Sequence, residues 1–369
     1  MLKNLLILSA AAALPLAAQC CSCAHPVSPL KVAAKPLSES PVISDSVGRA
    51  GMVASTVKTA DGARILAIGG ANFPNAKPGA KTPAERGAKV FYDEILSINP
   101  LDGSCSVLAK LPYPIGYAAH TTKGCSMVIA GGCNMEGHVS TVTRIKPDGT
   151  TEVLPSLPTT TAYPAFVQVG KKLYVFGGQE KAESVTCLSS SYVLDLAHTA
   201  AGWKELAPMP GEGRMLAAAG AWKGKIYVAG GCSLHPDTKG AAERTYLKSV
   251  LCYDPASDSW SSAADMPETI VAPASPMPAM RGGLLLLCGD PGNFYRASLA
   301  GKAPAEHPGQ NTTIYSFTPC TNAWAVAGQN SIGIATAPAV QVMGTVFIIS
   351  GETHPGVRTP VISTINPSK

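Results

Sequence analysis

Leu173-Tyr-Val-Phe-Gly-Gly178 is a run of four apolar residues closed by two glycines. Five more stretches share this form: Ile65-Leu-Ala-Ile-Gly-Gly70, Met127-Val-Ile-Ala-Gly-Gly132, Ile226-Tyr-Val-Ala-Gly-Gly231, Leu284-Leu-Leu-Leu-Cys-Gly289 and Val346-Phe-Ile-Ile-Ser-Gly351. Their last glycines recur every 46 to 62 residues. A short apolar run ending in glycine reads as a buried strand that must turn sharply. Most units continue with a second strand, such as Asp93-Glu-Ile-Leu-Ser-Ile-Asn-Pro100 or Ser249-Val-Leu-Cys-Tyr-Asp-Pro255. A Trp-containing or apolar strand follows, and the first four units close on Leu111-Pro112, Leu157-Pro158, Met209-Pro210 and Met266-Pro267. Repeats of this period, each too thin to bury both faces, predict an all-β, six-bladed β-propeller.

The sixth unit is short of one strand. It offers strands near Ala339–Val342, Val346–Ser350 and Val361–Asn366, and then the chain stops. Leu30-Lys-Val-Ala-Ala-Lys-Pro36, upstream of the first unit, is the natural fourth strand. Such pairing closes the ring and removes two open sheet edges. The expected organisation is a leader over 1–19, a tether over 20–29 and one propeller over 30–369.

Composition agrees with a large folded core. The chain has 369 residues, 46% hydrophobic and only 14% charged, with 36 glycines and 31 prolines for its turns. Its net charge of +5 is dispersed, which gives no footprint for nucleic acid. Lys3 and the apolar run from Leu5 to Ala18 read as a secretory signal peptide. Leu16-Ala-Ala-Gln-Cys20 resembles a lipoprotein cleavage site, although Gln19 stands where a smaller residue is usual. Release to the periplasm and anchoring in the cell envelope through an N-terminal lipid both remain open, and that lipid is the sole membrane attachment expected. Eight of the eleven cysteines lie beyond this region without a CxxC pair, so no metal is expected. Cys133, Cys232 and Cys288 read as small buried hydrophobes.

The residue after each glycine pair opens the loop between a blade's second and third strands, on one face of the propeller. Its occupants are Ala71, Cys133, Gln179, Cys232, Asp290 and Glu352. The two carboxylates stand out, and in their blades Cys288 and Ser350 replace the first glycine. Glu352 opens Gly351-Glu-Thr-His-Pro-Gly-Val-Arg-Thr359. A carboxylate at the mouth of a funnel can be desolvated enough to accept a proton, with Arg358 folding back to grip an anion. Equally, Glu352 can cap a turn and pair with Arg358 at the surface.

The glycine-rich repeats resemble kelch repeats over nearly the whole mature chain. The 351–359 stretch resembles the G-E-x-x-P-G-x-R-T motif of bacterial N-acetylneuraminate epimerases, the sialic acid mutarotases. Gly69-Gly-Ala-Asn-Phe-Pro74, with Lys89-Val-Phe-Tyr-Asp-Glu-Ile95, resembles the blade that follows the glutamate blade in that family. Here it comes first, so the chain resembles a cyclically permuted branch. The resemblance implies that Glu352 is the proton acceptor and Arg358 its essential partner. It also implies interconversion of the α and β anomers of N-acetylneuraminate without a cofactor, with Arg358 holding the sugar's carboxylate or polarising its carbonyl.

Other residues on the same face are weaker candidates for sugar contacts. Asn72 and Phe73 read equally as a turn residue and a packing ring. Asn134 is similar. Asp290, Asn293, Tyr295 and Arg296 form a polar-aromatic cluster on the fifth loop. Arg214 fits interblade structure better than ligand contact, and His120 fits a core histidine. A non-catalytic carbohydrate- or protein-binding propeller is the competing reading. Asp290 also leaves open a glycosidase with two carboxylates. A copper radical oxidase finds no supporting motif. Oligomeric state is not readable.

Overall fold

The computed structural model describes residues 30–37, 47–76, 83–304 and 306–368; the expected leader and tether lie outside them. The chain forms a six-bladed β-propeller. The blades span residues 50–110, 119–154, 165–206, 218–263, 279–329 and 339–367. In each, four strands lie side by side in antiparallel order, and two short strands, Val90–Phe91 and Lys123–Gly124, extend the sheet of the first blade. Each blade is apolar on both faces, so the core lies between blades. Val53, Leu66 and Ile95 of the first, for instance, pack on Met127, Ile129 and Ile145 of the second.

The strand Val32–Pro36 completes the sixth blade, pairing with Ile362–Pro367 from Val32 opposite Pro367 to Pro36 opposite Ser363. Leu30 and Val32 are buried with Ala327 and Ile365. The inner strands of the sixth blade are Ala339–Val342 and Thr345–Ile349. Ser350 falls outside the strand because its φ is +59°.

Six residues circle the axis in left-handed conformation, one per blade: Gly51, Tyr117, Tyr163, Leu216, Ala272 and Thr336, with φ from +52° to +69°. Their amides form a closed belt. Tyr117 N–H donates to Gly51 O, Tyr163 to Tyr117, Leu216 to Tyr163, Ala272 to Leu216, Thr336 to Ala272 and Gly51 to Thr336, all at 2.7–2.9 Å. Left-handed backbone is costly for five of these six side chains, and the belt over-determines it. The belt is the floor of a funnel on one face and the ceiling of a small apolar cavity on the other. His120 lines the lower cavity, its ring tilted against that of Phe166 at 4.4 Å, and burial holds its imidazole down at about 4.

The glycine pairs take left-handed backbone in all six blades, including at Cys288 and Ser350. A Cβ on Gly131 would stand 2.6 Å from Thr161 O of the next blade, which explains the glycine there. Ser350 has a compensating task. Its Oγ accepts from Arg49 N–H at 2.7 Å and turns its proton toward the carbonyls of Thr359 at 2.6 Å and Arg49 at 2.8 Å. It thereby ties the end of the Glu352 loop to the start of the first blade. Ser350→Ala keeps the backbone strain and removes the hydroxyl that accepts from Arg49 N–H and donates to the Thr359 and Arg49 carbonyls, so a stability loss of about 2–3 kcal/mol is expected. Ser350→Gly loses the same bonds but relieves about 1 kcal/mol of strain. Denaturant titration checks the order, and an alanine variant more stable than the glycine variant would contradict this account.

Candidate functional site

The residue after each glycine pair has the same backbone setting in every blade. It pairs with the residue just before the belt: Ala71 with Ala50, Cys133 with Gly116, Gln179 with Ala162, Cys232 with Met215, Asp290 with Val271 and Glu352 with Ala335. Glu352 exchanges two hydrogen bonds of 2.8 Å with Ala335, so its Cα is fixed at the funnel wall. The funnel has a volume of about 670 Å³.

Arg358 meets Glu352 because the loop is a hairpin. Glu352–His354 pairs with Val357–Arg358 around a Pro355-Gly356 turn, and Glu352 sits directly opposite Arg358. Directly opposed residues bring their Cβ atoms to about 5 Å, within reach of an ion pair. Arg358 Nη1 lies 2.7 Å from Glu352 Oε2. The arginine side chain is only 4% exposed. Its guanidinium carbon stands 4.9 Å over the Phe73 ring, and Nε and Nη1 are buried without an aligned acceptor. The contact is a charge pairing rather than a two-pronged fork, and a bidentate grip on a ligand through those atoms is closed off.

Burial pushes the Glu352 carboxyl above its ordinary range. Arg358, the Gly356 N–H, Lys89 and Arg86 pull it back. Desolvation therefore outweighs the cations. Tyr117 lies beside the pair and is partly buried, and desolvation raises its phenol. Lys89 reaches the same wall. Its Nζ stands 4.6 Å from the Phe91 ring and 4.7 Å from that of Tyr117. Burial holds its ammonium below the usual lysine value.

The opposite wall comes from two insertions, a hairpin of Cys232–Pro236 with Ala242–Tyr246 and the helix Asn293–Leu299. Asp290 and Tyr295 line the funnel there. Both are already engaged: Asp290 accepts from Tyr246 Oη at 2.9 Å and Gly292 N–H at 2.8 Å, and Tyr295 stacks on Tyr246 at 5.5 Å.

Six expected contact residues are placed elsewhere. Asn72 is fully buried, donating to Gly48 O and accepting from Tyr92 Oη. Phe73 lies behind Arg358 rather than on the funnel surface. Asn134 closes its own turn by accepting from Glu136 N–H at 2.9 Å. Asn293 accepts from Arg296 at 2.7 Å, and exposed Arg296 also donates to Pro291 O and Thr269 Oγ1, away from the funnel. Arg214 is buried between blades and donates to Gly230 O, Ser249 O and Ser249 Oγ. Asn72, Asn134 and Arg214 each spend polar atoms on backbone groups of their own surroundings. Cys133, Cys232 and Cys288 are buried free thiols.

A kelch motif matches residues 213–267, within the fourth blade and its approach. The N-acetylneuraminate epimerase of Yersinia enterocolitica is 28% identical over 242 residues, 58% of each chain. The chain is similar to the N-acetylneuraminate epimerases over about half its length. N-acetylneuraminate epimerase 1 of Escherichia coli is 28% identical over 50% of this chain and 55% of its own. The Haemophilus influenzae epimerase is 28% identical over 46% and 49%. The chain thus spans about half the length of the curated relatives it matches. The solved structure of YjhT superposes with a TM-score of 0.63 over 88% of this chain and 96% of that one, at 15% identity, and shares the fold.

Several funnel residues escaped the sequence reading. Lys89 stood within the 89–95 stretch but carried no motif position. Tyr117 and Tyr163 sit one residue after the bridging position in Gly116-Tyr117 and Ala162-Tyr163, a spacing the repeats do carry. His138, Arg244 and His307 lie on loops without a shared pattern.

Proposed function

We propose that this protein interconverts the α and β anomers of N-acetylneuraminate, with Glu352 as the base. The observation that carries the reading is a largely buried carboxylate on the funnel wall, pinned by its backbone, raised by desolvation and opposed by Arg358. The similarity to the epimerases supports the substrate class. In this reading Glu352 removes the proton of the anomeric hydroxyl. The carbon–oxygen bond to the ring breaks as the ring oxygen takes up a proton, and the open ketone rotates and recloses on its other face. Arg358 keeps Glu352 ionised near neutral pH and holds its carboxylate in one orientation. Export to the periplasm or the cell envelope is part of the proposal, and so is descent by cyclic permutation.

The test is proton NMR of the α anomer freshly released by a sialidase, followed to equilibrium with and without protein. Faster equilibration supports the reading, and no acceleration sinks it in favour of a binding propeller. The pH profile adds a sign. Only ionised Glu352 is a base, so activity should fall on acidification through a pKa above the model-peptide value of about 4.3. Arg358 pulls that pKa down, so its loss should let it rise. Arg358→Gln is expected to move the acid limb of kcat/KM to higher pH. A limb that stays or moves lower would remove Arg358 from this role.

A further inference from the structure

We infer that Lys89 is the residue that holds the carboxylate of the sugar acid, while Arg358 serves Glu352 alone. The inference rests on the proposed substrate class. Among the described residues, five charged side chains line the funnel: Lys89, Arg244 and Arg358 against Asp290 and Glu352. Arg358 is spent on Glu352, and Asp290 is satisfied by Tyr246 and the Gly292 amide. Among the described residues, Lys89 makes no ion pair with a carboxylate; its ammonium rests between two aromatic rings. A partly buried cation with no carboxylate paired directly to it is a place for one. The aromatic faces hold it in place without neutralising it.

Position decides between Lys89 and Arg244. In a 2-keto sugar acid the carboxylate is bonded to the anomeric carbon itself. The group that holds it must therefore stand beside the base that takes the anomeric proton. Lys89 interacts electrostatically with Glu352 and Arg358. Arg244 instead acts on Tyr163, Cys187, Cys232 and Tyr246, toward the far wall. Lys89 therefore discriminates sugar acids from neutral sugars, and its loss should weaken binding more than turnover.

Calorimetric titration of N-acetylneuraminate and its methyl ester into wild type, Lys89→Gln and Lys89→Arg tests this. The expected result is acid binding about 10- to 100-fold weaker in Lys89→Gln, from loss of one charge-assisted contact. Lys89→Arg should recover part of it, and the ester should bind all three alike. Unchanged acid affinity in Lys89→Gln overturns the inference. So does an equal loss for acid and ester, which marks a structural side chain. Anomer equilibration in the same samples separates the two claims. A wild type that binds the acid without accelerating mutarotation removes the enzyme reading and leaves Lys89 decided by the acid-to-ester ratio. A wild type that binds neither overturns both.

Discussion

Glu352→Gln should equilibrate the anomers of N-acetylneuraminate no faster than buffer. Loss of a positioned general base costs about 10²- to 10⁴-fold. Glutamine keeps the size of the side chain and an oxygen for the Gly356 N–H, so the funnel's shape is retained. What disappears is the charge. That also leaves the Arg358 guanidinium buried without its anion, and breaking such a pair costs about 3–5 kcal/mol when fully buried. Glu352 is 20% exposed, so a smaller penalty is expected here. The activity assay must therefore be read beside a melting curve. A folded variant that binds the sugar and does not turn it over is the expected outcome. Glu352→Asp retains the charge on a shorter arm and should be stable but slow. A folded glutamine variant with wild-type rates would end the case for this base.

The second large effect concerns the closing strand. A chain that begins at Leu37 should be far less stable than one that begins at Leu30. It loses the Val32–Pro36 ladder and the burial of Leu30 and Val32. Two buried aliphatic side chains contribute about 1.5–3 kcal/mol each, and the ladder bonds about 1 kcal/mol apiece. Together these approach the 5–15 kcal/mol that separates most folded domains from their unfolded state. The truncation also exposes Ile362–Pro367 as a free strand edge, a template for pairing with a second molecule. Thermal melting should show a large drop, and size-exclusion chromatography should show association. Equal melting of the two chains would mean that the sixth blade closes without its fourth strand.

The frame was legible because propeller geometry repeats in sequence. The glycine pairs mark the six inner turns, and their steric cause lies in the neighbouring blade, as Gly131 shows against Thr161 O. The Glu352–Arg358 pairing was legible because Pro355-Gly356 makes a two-strand hairpin of the intervening residues. The rest of the funnel was not, because loops carry no period that says where a side chain points. Asn72, Asn134 and Arg214 are the right residue types for binding a sugar, yet each satisfies a local backbone group. Lys89 is the reverse case. Its role depends on where Phe91 and Tyr117 place their rings, which only the fold decides.

The axial belt has a direction in time. Reading from the first blade, every amide of the belt donates back to a carbonyl that has already been synthesised, from Tyr117 to Gly51 through Thr336 to Ala272. Only the last bond runs the other way, from Gly51 to Thr336 across almost the whole chain. Contacts of such long sequence separation form late. Arg49, beside Gly51, also waits for Ser350 and Gly351. The seam that joins oldest and newest chain thus passes under the Glu352 hairpin, and a nascent propeller gains this wall of its funnel only when the circle is complete.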